Sequence, residues 1–292
     1  MKTRIISGII AIGVLFLVLS QFHTWMFNVV LFALYFIAVH EIGNAFKDGN
    51  VKSTSILLDL TGFIVLVAPN FYGDIDYMVL SAIMVAVSAF IVVFNFDHIK
   101  FTSVASQLAF GLYVLVGFVS LLRFKIMLPY TPFGWDGVFL ILCVAAISWG
   151  GDTFAYFSGY FFGKHKLAPT LSPKKTIEGA IGGVAGSVLI TWLFFWIYSG
   201  LKPILEGSDV VYTFDFKHLI IVGIIAAFGS MIGMIGDLMA SAVKRQTGIK
   251  DYGNIMPGHG GVLDRFDSVL LVSPLVASTI GFIVANGGIF NV

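Results

Sequence analysis

The residues able to do chemistry are concentrated in one stretch, 237–268, DLMASAVKRQTGIKDYGNIMPGHGGVLDRFDS. It holds Asp237, Asp251, Asp264 and Asp267, the cations Lys244, Arg245, Lys250 and Arg265, and the run Pro257-Gly258-His259-Gly260-Gly261. Two carboxylates facing one cavity suit a hard divalent cation such as Mg²⁺. Basic side chains and the exposed backbone N–H groups of a Gly-Gly turn suit phosphates. A plainer reading is a polar loop joining two apolar helices. It accounts for charges outside a membrane, but not for Asp237 inside an apolar run or for two Asp heading the next one.

Local periodicity says which elements must position these groups. Ser230, Gly233, Asp237, Ser241 and Lys244 recur at steps of three and four, which puts all five on one face of a helix. The neighbours Met231, Ile232, Met234, Ile235, Leu238 and Met239 are apolar. Asp237 is therefore expected at membrane depth but turned toward protein or water, where an ionisable residue reads first as functional. The helix should fail at Gln246-Thr247-Gly248. The next should begin near Asp264, with Asp264 and Asp267 in its first turn and on one face. Such a hairpin can bring Asp237 and Asp264 together, with Lys244, Arg245 and Lys250 around them.

The remainder is oily. Of 292 residues, 58% are hydrophobic and 11% charged, and the mean hydropathy is +0.95. This composition indicates an integral membrane protein. The expected fold class is all-α, a polytopic bundle of about nine transmembrane helices at ~20 residues each. They are expected near 4–20, 26–46, 54–69, 77–95, 104–122, 136–163, 177–199, 218–246 and 264–287. The chain reads as a single membrane domain over 1–292, with the less informative amino-terminal helices in 1–135 and the catalytic helices and loops in 136–292. Residues 5–19 form an apolar run with no small-x-small cleavage site after it, so a retained first span is expected. With the amino terminus inside, 13 of the 17 Lys and Arg fall on the cytoplasmic side and 4 outside. That bias supports N-in, C-out, with the active-site cavity on the cytoplasmic side. The net charge of +1 carries no electrostatic footprint of nucleic acid, and none is expected as a partner. Cys143 lies alone in an apolar run and reads as inert. In the first half, Glu41 reads as interfacial and Asp59 as a partner between helices.

A second informative stretch covers 152–183. Asp152 lies mid-span, followed by FGKHKLAPTLSPKKTIEGAIGG with Lys164, Lys166, Lys174 and Lys175. Pro169 and Pro173 forbid a continuous helix, so a loop is expected. Ser172 or Thr176 can start the next helix, with Glu178 in its first turn. The pairs Gly179/Gly183 and Gly182/Gly186 permit close backbone contact with a neighbouring helix. They fit a homodimer or packing within one chain equally well. Taken alone, the lysines read as ordinary anchors at the inner face.

Both stretches resemble one family. Ser241-x-x-Lys244-Arg245-x₄-Lys250-Asp251, then Pro257-x-His259-Gly260-Gly261-x-x-Asp264-Arg265-x-Asp267, is similar to the signature of the phosphatidate cytidylyltransferases, or CDP-diacylglycerol synthases. Asp152-Thr-x-Ala-Tyr, Phe-Gly-Lys-x-Lys-Leu-x-Pro and Ser-Pro-Lys-Lys-Thr-x-Glu-Gly resemble the same family, in the expected order. The resemblance covers 152–268 well and the amino-terminal half hardly at all. It implies transfer of a cytidylyl group from CTP to phosphatidate, giving CDP-diacylglycerol and pyrophosphate. It implies Mg²⁺, alone or with a second cation, on Asp237 and Asp264, with Asp152 and Asp267 as further ligands or as supports to the ligands. Lys174, Lys175, Lys244 and Arg245 would clamp phosphates, Lys250 would do the same or pair with Asp251, and Ser241 and Arg265 would complete the substrate contacts. Gly260 and Gly261 would let backbone approach the phosphates. His259 would hydrogen-bond a phosphate or orient a carboxylate, or act as an acid toward pyrophosphate. The short chain without a transit peptide fits a bacterial cytoplasmic membrane. Two rivals stand beside this reading. One is a CTP-dependent transferase acting on an isoprenoid lipid. The other is a secondary transporter, which would also show intramembrane acids and broken helices.

Overall fold

The computed structural model describes residues 2–46, 52–69, 76–207, 216–255, 258 and 260–285. The elements run α1 (Lys2–Ser20), α2 (Trp25–Ala45), α3 (Lys52–Leu66), α4 (Tyr77–Phe94), α5 (Phe101–Met127), α6 (Tyr130–Phe133) and α7 (Asp136–Ala145). A π-helical turn (Ala146–Gly150) leads into α8 (Gly151–Phe162). Then come β1 (Lys166–Ala168), β2 (Ser172–Thr176), α9 (Ile177–Glu206), α10 (Phe216–Gln246), α11 (Leu263–Phe266) and α12 (Val269–Ala285). The protein is thus nearly all-α. Among the described residues, five helical stretches are long and apolar enough to cross a membrane: Trp25–Ala45, Phe101–Met127, Asp136–Phe162, Ile177–Glu206 and Phe216–Gln246. Ser7–Ser20, Met78–Phe94 and Val269–Ala285 are apolar but shorter.

The chain clusters into two compact units, one of Met1–Leu122 with Val243–Phe266, the other of Arg123–Ala242 with Asp267–Val292. In the first, polar side chains cross-link apolar helices. Tyr35 Oη donates to Leu58 O (3.0 Å), Asn28 Nδ2 to Leu66 O (2.8 Å) and Gln107 Nε2 to Ser55 Oγ (2.7 Å). All three donors are buried, and each is satisfied, as groups without access to water require. Asp59 meets His40 across α2 and α3, with Nε2 4.0 Å from Oδ2, in line with a role between helices.

In the second unit, helices approach through small residues. The buried face of α10 includes Gly223, Ala226, Gly229, Ser230, Gly233 and Gly236, while Ile224, Phe228, Met231 and Ile235 are exposed. This inverts the soluble pattern, because bulk faces lipid and small residues let backbones close. A Cβ on Gly233 would stand 3.0 Å from a Val272 methyl, and one on Gly236 would stand 2.5 Å from the Asp267 carbonyl oxygen. The glycines of α9 are used in the same way. Gly179 and Gly183 press on α8 at Ala155, and Gly182 and Gly186 on Ser158 and Phe154. Both G-x-x-x-G pairs are therefore occupied within the chain.

Two local expectations are corrected. The segment expected to be a loop contains an antiparallel hairpin, β1 with β2, in which Lys166 pairs with Thr176 and Ala168 with Ser172. Pro173 is compatible with it because a proline is tolerated in an edge strand. The second correction concerns the helix near Asp264. α11 ends at Phe266, Asp267 and Ser268 form a turn, and α12 starts at Val269. Asp264 and Asp267 therefore do not share one helical turn and face.

Candidate functional site

In the first unit the site is a knot around Asp264. α10 ends at Gln246, and Gly248 takes φ +70°. The Ile249 amide then reaches back to Lys244 O (3.0 Å), a left-handed closing turn that glycine adopts without strain. This turn sends the chain back past Lys244, whose ammonium donates to Asp264 Oδ1 at 2.8 Å. The other carboxylate oxygen, Oδ2, accepts the amides of Tyr252 (2.8 Å) and Gly261 (3.0 Å). Asp264 is 9% exposed and holds three donors. Gly260, with φ +87°, leaves room for it, since a Cβ there would lie 2.8 Å from Oδ2. Lys244 also lies over the Tyr252 ring, 5.4 Å from its centroid, and Tyr252 stacks on Phe110. Arg245, Lys250 and Arg265 are exposed.

Sequence reasoning missed the other anchor of this knot. Glu41, expected at an interface, is buried at 6% exposure. Its two oxygens accept the consecutive amides of Val262 and Leu263, each at 2.9 Å. Buried carboxylates of this kind are matched by amide donors instead of a cation. The only signal in the sequence was an acid at the end of an apolar helix.

In the second unit Asp237 sits on α10 in an ion pair with Lys175. Ser241, one turn on, has its hydroxyl 3.4 Å from Asp237 Oδ1. Both members of the pair retain about a quarter of their exposure, 24% for Lys175 and 23% for Asp237. The hairpin explains why Lys175 and not Lys174 makes this contact. Successive strand residues point to opposite faces, and Lys174 is exposed while Lys175 is partly buried. The base of the hairpin is fixed by Thr176, which caps α9 by accepting the Gly179 amide (3.1 Å). Glu178 accepts the Lys164 amide (3.1 Å) and meets His165 Nδ1 (2.7 Å).

Asp152 lies just after the π-helical turn, with Ser268 Oγ 3.5 Å from Oδ2. Together with Ser148, Ser230 and Ser268, and with the apolar Ile147 and Met234, it lines a small cavity. Asp267 Oδ1 accepts the Ser268 amide at 2.8 Å. A further acid absent from the sequence reading is Asp136, buried at 2% and held by Lys202 Nζ (2.8 and 2.9 Å) and Tyr198 Oη (2.8 Å). Its charge is fully matched, which makes it a structural pair. His259 and Pro257 lie outside the described residues.

Among the described residues, no group of three or more His, Cys, Asp or Glu is placed to hold a metal ion. A Mg²⁺ ion does not demand one, since it commonly keeps several waters and takes one or two carboxylates plus substrate phosphates. Asp237 fits that chemistry, because an ammonium and one distant hydroxyl are its neighbours and a cation can take the ammonium's place. Asp264 fits it at Oδ1 alone, because Oδ2 is committed to two backbone amides.

Long apolar helices that carry lysine–carboxylate pairs define the class as a membrane protein. The chain belongs to the Cytidylyltransferase family, which it matches over residues 2–283. It is 32% identical to the phosphatidate cytidylyltransferase of Staphylococcus haemolyticus over 281 residues, 94% of this chain and 97% of that one. It is 29% identical to the phosphatidate cytidylyltransferase of Bacillus subtilis over 286 residues, 94% and 96% of the two chains. It is 31% identical to that of Staphylococcus aureus strain COL over 281 residues, 94% and 97%.

Proposed function

We propose that the protein transfers the cytidylyl group of CTP to phosphatidate, giving CDP-diacylglycerol and pyrophosphate. The observation that carries this reading is full-length membership of the family, with relatives of that activity covering 94% of the chain. Membership of a transferase family also favours catalysis over the transporter reading. A phosphate oxygen of phosphatidate attacks the α-phosphorus of CTP. The new P–O bond forms as the α–β P–O bond breaks, and the electron pair leaves with pyrophosphate. A phosphomonoester has a second pKa near ~6, so the nucleophile is largely a dianion at neutral pH. No base is needed, and the task is to position two anions and offset their charge.

Lys175 and Lys244 take the central phosphate-clamping roles, because each sits on a carboxylate from which it can move to a phosphate. Lys174, Arg245, Lys250 and Arg265, all exposed, attract the triphosphate and headgroup. The Gly260–Gly261 backbone approaches a phosphate, and Ser241 steadies Asp237. His259 hydrogen-bonds a phosphate or orients a carboxylate. Asp237 and Asp264 would hold Mg²⁺, with Asp152 and Asp267 in support; when bound, the ion would offset charge on the leaving pyrophosphate. That the two main acids share one ion rests on their spacing in the sequence. The proposed setting is a bacterial cytoplasmic membrane with about nine spans, the amino terminus inside and the site facing the cytoplasm. Cysteines placed at Gly248 and Ser208 test this orientation and should label from opposite sides; labelling from one side contradicts it.

The decisive experiment supplies purified protein in vesicles with CTP labelled in the α-phosphate. Phosphatidate, a polyprenyl phosphate or no acceptor is added, and lipid products are separated. Label should appear in CDP-diacylglycerol. Label only on the polyprenyl product would replace the acceptor, and no labelled lipid from folded protein would overturn the reading.

A further inference from the structure

We infer that Glu41, far from the signature residues in sequence, is a positioning residue for the transfer reaction and acts through the glycine-rich loop. This rests on the proposed function for its catalytic consequence, but not for its geometry. Two carboxylates hold the described residues between Tyr252 and Asp264, each accepting two of their backbone amides. Asp264 takes Tyr252 and Gly261, and Glu41 takes Val262 and Leu263. The amides of 261, 262 and 263 are thus pinned in succession, immediately before Asp264.

The loop is also fitted to the glutamate by shape. A Cβ on Gly253 would stand 2.9 Å from Glu41 Cδ, and one on Gly261 would stand 2.6 Å from it. Both strands of the loop therefore close over the carboxylate where a side chain is missing. Glutamine would not replace it without loss, because one of its two terminal groups is an amide NH₂, a donor that would face another N–H donor. A buried carboxylate with no cation beside it is costly unless its amide partners are in place. Glu41 and the loop therefore hold each other in one arrangement. Placement of Asp264 and of the Gly260–Gly261 backbone follows from that arrangement, and a misplacement near 1 Å can cost ~10²-fold in rate.

The test compares full-length wild type with Glu41→Gln and Glu41→Ala in the same detergent, by CTP–phosphatidate kinetics and by amide hydrogen exchange. Glu41→Ala should lower kcat by ~100-fold, and Glu41→Gln by ~10-fold because one acceptor remains, while the KM for CTP stays within about threefold. Amides 262 and 263 should exchange at least ~10-fold faster in both variants. Either variant with wild-type kcat, a loss confined to KM, or unchanged exchange overturns the inference. If Glu41→Ala does not fold, Glu41→Gln carries the test alone. Wild-type protein that makes no CDP-diacylglycerol would defeat the proposed reaction, and the exchange measurement would still decide what Glu41 does.

Discussion

Asp264 and Asp237 look alike in the sequence, each an acid at the end of an apolar run, yet their surroundings divide their work. Asp264 is 9% exposed and its carboxylate receives Lys244 and two backbone amides. Asp237 is 23% exposed by side chain and pairs with Lys175, and among the described residues the Ser241 hydroxyl, 3.4 Å away, is its second neighbour. The first carboxylate builds a loop. The second is held by side chains alone, an ammonium and a hydroxyl, and among the described residues no backbone amide depends on it. Shared residue type and shared chemistry therefore do not mean shared cost when either is removed.

The largest effect should follow from Asp264→Asn. It loses a charge-assisted bond to Lys244 and weakens two to amides, leaving the partly buried Lys244 ammonium uncompensated, which costs up to about 3–5 kcal/mol. Both turnover and the thermal midpoint in detergent should fall, measured on the same preparation. A variant that melts like wild type would erase the distinction drawn between the two acids. Lys175→Ala comes next. It should raise the KM for CTP by ~10-fold, against about twofold for Lys174→Ala, because only Lys175 lies on the Asp237 face of the hairpin. Equal effects in steady-state kinetics would show that strand alternation does not govern the phosphate clamp. The smallest effect is Thr176→Ala, which removes the α9 cap at a cost of ~1 kcal/mol. Its thermal midpoint should drop slightly, with kcat little changed.

The legible parts of the molecule are those set by near neighbours in sequence. The end of α10 at Gly248, the cap at Thr176 and the close packing of α9 through Gly179, Gly182, Gly183 and Gly186 follow from local backbone and volume rules, and they are found. The pair of acids at 264 and 267 was misjudged because Asp267 bonds the next residue's amide, at 2.8 Å, and the helix restarts after it. The hairpin was hidden by its two prolines, since nothing local distinguishes an edge strand from a loop there. Glu41 was illegible for a different reason. Its partners lie 221 and 222 residues away in the chain, and no periodicity of α2 announces them.

The most direct measurement is the turnover of CTP with phosphatidate by Asp237→Asn, alongside its thermal midpoint. Asn keeps the volume of Asp and removes the charge on which cation binding and the Lys175 pair depend. Although about a quarter of each side chain is exposed, the Lys175 ammonium itself is buried, so loss of the pair should also lower stability. The expected result is a protein that still purifies as a single species, with a lowered thermal midpoint, but makes no detectable CDP-diacylglycerol. Near-normal turnover in Asp237→Asn would contradict the account at its centre.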